Sequence, residues 1–157
     1  MNNMAPLAAC AMFAALFLGP ESLRAQDTPV GNAAYTKTID GSFEDVSFAV
    51  EQAITNEGLV IDLTSHVGDM LARTKEDVGG EKDIFTHADV FSFCSAKISR
   101  EVMEVDPGNL QYCPYGIFVY ETADQPGKIV VGHRVYPGEV MKPVNDMLTK
   151  LVETAAE

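Results

Sequence analysis

The chain has 157 residues, 46% of them hydrophobic, with 23 acidic against 11 basic side chains and a formal net charge of −12. That charge repels nucleic-acid phosphates and anionic lipid heads, so no nucleic acid is expected as a partner. The length suits one compact domain, and neither an internal repeat nor a Pro/Gly/Ser-rich linker divides it.

Residues 6–19 form a small-apolar run ending in Leu16, Phe17 and Leu18, broken by Gly19-Pro20 and followed by Ala25 before Gln26. This reads as a secretory signal over residues 1–25, cleaved after Ala25. The run is shorter than the roughly 20 apolar residues of a membrane span, so the mature form is expected to have none. Export to the periplasm follows from that reading. A lipoprotein cut before Cys10 is disfavoured, because it would leave the apolar segment Ala11 to Leu18 on the mature chain. Residues 26–34 lack an apolar period and read as a tether, and 35–157 as a single α+β domain.

Ala34 to Ile39 alternates as a first strand, ended by Asp40-Gly41. Ser42 caps a helix whose inward stripe is Phe43, Val46, Val50, Ala53 and Ile54. Leu59 to Thr64 has a period of two, with Leu59, Ile61 and Leu63 on one side. A second helix, from about Asp69 to Asp77, is expected to turn Met70, Leu71, Thr74 and Val78 inward; residues 81–87 give no clear pattern.

Asp89 to Cys94 reads as a strand, and Ser95 as the cap of an amphipathic helix burying Ile98, Val102 and Val105, stopped by Pro107-Gly108. Tyr115 to Glu121 and Ile129 to Tyr136 predict an antiparallel hairpin. Both faces of that hairpin are apolar at its centre, Ile117 and Val119 on one side and Phe118 and Tyr120 on the other. A sheet wetted on one face alternates more cleanly, so the second face is expected to be covered by a second subunit, a ligand or another part of the chain. The last helix, from about Glu139 to Ala155, buries Val140, Val144, Met147, Leu148, Leu151 and Val152. The order β-α-β-α-β-α-β-β-α predicts a two-layer α+β sandwich of helices on a mostly antiparallel sheet.

Several of these segments together resemble the domain of unknown function 302 family. They are Phe43-Glu44-Asp45-Val46 with Gly58-Leu59-Val60-Ile61, then Phe91-Ser92-Phe93-Cys94-Ser95-Ala96 with Ser99-Arg100, and Asp106-Pro107-Gly108-Asn109 through Cys113-Pro114-Tyr115 to Glu121. The likeness spans roughly Phe43 to Pro137. It implies a small two-layer α+β domain, similar in outline to the TATA-box-binding-protein-like folds, and a Cys94–Cys113 pair typical of the exported branch. It supplies no activity and no catalytic residue, so the fold carries no function by itself.

Removing Cys10 with the signal leaves Cys94 and Cys113, an even pair in an oxidising compartment, which favours a disulfide across the intervening helix. Two alternatives use the same residues. Cys94 stands just before a helix start, where a thiol becomes more reactive, although no Cys-x-x-Cys supports a redox centre. A copper or haem site would draw on Cys94, Cys113, Met103 and His133, or on His66 or His87 in the loops. Ser95, Ser99, Arg100 and Tyr115 form a candidate ligand or anion site beside the pair, against the simpler pairing of Arg100 with Glu104. No nucleophile elbow, phosphate loop or zinc-helix motif occurs. The leading expectation is therefore a non-catalytic binding or accessory module. Its partners would be a second copy or a small molecule on the sheet face, or a basic exported protein drawn by the charge.

Overall fold

The computed structural model describes residues 34–157. The signal segment, its cleavage site, Cys10 and the tether up to residue 33 lie outside the described residues.

The first strand, β1 (Ala34–Asp40), leads into α1 (Phe43–Asn56). Ser42 fixes where α1 begins: its Oγ accepts from the Asp45 amide at 3.1 Å and donates to Asp45 Oδ2 at 2.7 Å. This satisfies one of the free amides of the first turn. Val46, Val50, Ala53 and Ile54 recur at helical spacing and are buried, as their period predicts. Then follow β2 (Val60–His66), α2 (Val67–Thr74), β3 (Phe85–Cys94) and α3 (Ala96–Val105). A 3-10 helix (Pro107–Tyr112) precedes the hairpin of β4 (Tyr115–Thr122) and β5 (Lys128–Arg134). A second 3-10 turn (Glu139–Met141) runs into α4 (Lys142–Ala155).

The five strands form one sheet in the order β1-β5-β4-β3-β2, every neighbouring pair antiparallel. Fold class and element order agree with the sequence reading. Helices α1 and α4 pack on one face around Phe93, Ile117, Val119, Ile129, Val131 and Leu148, which are almost entirely buried. The opposite face is different. Val90, Phe118, Tyr120 and Val130 stand outside that core and are only half-buried.

Four details depart from the sequence reading, each for a local reason. A bulge between Ile61 and Leu63 sets Ile61 against Phe93 but Leu63 against Ser92, so Leu63 changes face and is 59% exposed. Helix α2 ends at Thr74 and buries only Gly68, while Met70 and Val78 are exposed. The cause is a close approach: a Cβ on Gly68 would stand 2.7 Å from the Ala88 nitrogen, so α2 meets β3 through backbone rather than a side-chain stripe. Val105, in the last turn of α3, is exposed because the chain leaves the core at Asp106. At the start of the last helix the 3-10 turn rotates the chain, so Met141 is buried in place of Val140.

Candidate functional site

Cys94 ends β3 and Cys113 precedes β4, and the two stand at disulfide distance with Cα atoms 6.5 Å apart. They bracket α3 and the following 3-10 helix. Asp106 holds that junction, accepting from the Gly108 amide at 2.8 Å, and Asn109 donates to the Val102 carbonyl at 2.9 Å.

The four residues proposed beside the pair fall into separate environments. Ser95 is buried and caps α3, accepting from the Ile98 amide at 3.4 Å. Ser99 donates to the Tyr115 hydroxyl at 3.2 Å, inside the domain, where Tyr115 is 1% exposed. Arg100 points to solvent and pairs with Glu104 at 3.1 Å. Ser99 and Tyr115 are thus brought together, whereas Arg100 is not brought to them. Tyr115 also packs obliquely on Tyr136, ring centroids 6.0 Å apart. Burial raises the Tyr136 hydroxyl above the usual phenol range, with Arg134 opposing the shift and Tyr115 adding to it.

His133 stands on β5 and Met103 on α3. His133, fully buried on β5, is held through Nε2 by Thr149 Oγ1 at 3.0 Å and through Nδ1 by the Arg134 carbonyl at 2.9 Å. Both ring nitrogens are engaged, so neither faces a metal. Burial lowers the His133 pKa, partly countered by its bond to the Arg134 carbonyl. Met103 is half-buried against the helix core. Among the described residues no three His, Cys, Asp or Glu side chains converge as metal ligands.

The other two histidines line one cleft, a placement that no spacing in the sequence foretells. Antiparallel pairing of β2 with β3 sets His66 opposite Asp89, and His66 Nδ1 lies 2.8 Å from Asp89 Oδ1. One strand position before Ala88, His87 stacks on Phe43 of α1, with centroids 4.8 Å apart and planes 19° from parallel. Between them opens a cleft of about 400 Å³ whose walls include Phe43, Glu44, His66, Asp69, His87 and Asp89. A second, smaller cleft of about 320 Å³ lies beside Ser95 and Lys97.

The open face of the sheet carries clustered aromatic side chains. Tyr120 stacks on Phe118 with centroids 6.0 Å apart and meets the edge of Phe85 at 5.4 Å. Phe118 in turn covers Gly132 on β5, where a Cβ would stand 2.7 Å from Phe118 Cζ. The result is an aromatic stripe across β3, β4 and β5, flanked by Val90 and Val130.

A five-stranded antiparallel sheet layered on one side by helices, with paired cysteines around the third helix, defines a small α+β domain. The family model "Domain of unknown function DUF302" matches residues 35–157, and the chain belongs to that family. Among solved structures it is similar to an uncharacterized conserved DUF302 protein from Bacillus stearothermophilus, at 17% identity and a TM-score of 0.55, covering 80% of this chain and 89% of that one. At that identity the likeness speaks for the fold alone. No curated protein matches the chain.

Proposed function

We propose that this chain is an exported, non-catalytic binding or accessory module that works through the open face of its sheet, and that the face docks a second copy of itself. The observation that carries this is the stripe Phe85, Tyr120, Phe118 with Val90 and Val130, apolar side chains that the helix layer leaves half-exposed. Contiguous apolar surface of this kind marks interaction sites in proteins that stay dispersed.

A flat sheet favours another sheet as its occupant, because two such faces interdigitate at about 10 Å separation. Both clefts lie elsewhere, so a small molecule finds less to enclose it on this face. Five strands of 7 to 10 residues give a footprint of roughly 600 Å². Stable interfaces take about 800 Å² per partner, so the expected association is weak, in the micromolar range or above. Export rests on the apolar run of residues 6–19 and on the even cysteine pair that remains after its removal.

A concentration series of backbone NMR spectra tests the reading. Shifts that grow with protein concentration and centre on Val90, Phe118, Tyr120 and Val130 are the expected result. Concentration-dependent shifts centred on the helix layer would instead place the contact there and remove the sheet face from the account.

A further inference from the structure

The cleft between α1 and the β2–α2 corner lies on the helix side of the sheet and is independent of the docking face. Its volume, about 400 Å³, falls within the range of small-molecule sites. Its walls carry two kinds of group. One is aromatic: the stacked Phe43 and His87, and Phe48, whose side chain is left 60% exposed at the rim. The other is anionic: Glu44, Glu51, Asp69 and Asp89, with no lysine or arginine among the lining residues. Of these only Asp89 has a basic side chain within hydrogen-bond reach among the described residues, the His66 imidazole.

The His66–Asp89 contact adds a directed acceptor. An ionised carboxylate can only accept, so the bond at 2.8 Å places the imidazole proton on Nδ1. In the neutral ring Nε2 is then a free acceptor, and it has no protein partner among the described residues. The cleft therefore offers acceptors and negative charge against aromatic faces. A metal ion would need several of these side chains converging on one point at about 2 Å, and no such group of three exists among the described residues. An ammonium on an apolar body needs only what is present, a ring face for the cation and its carbon frame with acceptors for its N–H groups.

We propose that this cleft binds a small organic cation, an ammonium group carried on an aromatic or apolar body. Phe43, Phe48 and His87 hold the apolar part, and the carboxylates with His66 Nε2 receive the charged end.

Titration of the full chain with benzylammonium, followed by NMR, is the test, with benzyl alcohol as the uncharged match and Zn²⁺ as the inorganic cation. The expected result is saturable binding with a Kd of about 1 mM for so small a probe, with shifts at Phe43, His66 and His87. Benzyl alcohol should bind roughly tenfold more weakly. The double substitution Glu44→Gln with Asp69→Asn changes two exposed side chains and should weaken benzylammonium by a similar factor while the rest of the spectrum is unchanged. Equal binding of the alcohol and the ammonium would overturn the proposal. So would Zn²⁺ occupying the cleft while benzylammonium leaves the spectrum unmoved, or ammonium-induced shifts confined to the open sheet face.

Discussion

Phe118 on β4 and Gly132 on β5 are cross-strand partners, and the Phe118 ring fills the place a Gly132 side chain would take. A Cβ there would lie 2.7 Å from Phe118 Cζ and 2.5 Å from the Tyr35 carbonyl oxygen. The glycine lets the ring lie against the sheet and so shapes the aromatic stripe. Gly132→Ala should destabilise the domain by about 1–3 kcal/mol, the usual range for overpacking. Urea unfolding of the two proteins measures it; an unchanged midpoint would mean the ring moves aside freely.

The Cys94–Cys113 pair closes a loop of 19 residues in sequence separation. In the chain-entropy model such a closure contributes about 3 kcal/mol, mainly by restricting the unfolded state. The double variant Cys94→Ser with Cys113→Ser should lose stability of that order in denaturant melts, and the mass of the native protein should rise by two hydrogens on reduction. A single fast-reacting thiol in native protein would contradict the pairing and favour the redox alternative.

His133 makes the stability depend on pH. Its folded pKa is lowered from the ordinary 6.5, chiefly by burial, so the unfolded chain binds a proton more readily than the folded one. The resulting stability is fully present above about pH 6.5 and falls as the pH drops toward and through the lowered folded value. Unfolding free energies measured between pH 7.5 and pH 5 should therefore decline on the acid side. His133→Gln, which keeps a donor and an acceptor without titrating, should flatten that decline; a slope unaffected by the substitution would place its origin elsewhere.

At the start of α1 the Ser42 cap is exposed, and its side chain bonds only to Asp45. Ser42→Ala should cost about 1 kcal/mol in thermal or urea unfolding, whereas Ser42→Thr, which keeps both the acceptor and the donor, should restore most of it.

Elements with a strong local period were legible in the sequence. Val46, Val50, Ala53 and Ile54 recur at helical spacing, and Ile117 and Val119 alternate with Phe118 and Tyr120, so α1 and the β4–β5 hairpin follow from side-chain spacing alone. Where one local event breaks the period, the reading fails. The bulge near Asp62 turns Leu63 to the other face, and α2 is seated by Gly68, a residue with no side chain to signal burial. The cleft was not legible for a different reason. His66 and Asp89 are 23 residues apart, and Phe43 reaches His87 from another helix, so only strand register and layer packing bring them together. The register of an antiparallel β2–β3 pair was the one clue, since it sets the end of β2 against the start of β3.

The open sheet face is the proposed contact between two copies, and sedimentation equilibrium tests it most directly. The chain should show reversible dimerisation that strengthens with added salt, because screening relieves repulsion between two copies of net charge −12. Tyr120→Lys with Val130→Lys, both on that face, should leave a folded monomer at every concentration. A wild-type chain that stays monomeric up to millimolar concentration in high salt, or a double variant that dimerises as the wild type does, would contradict it.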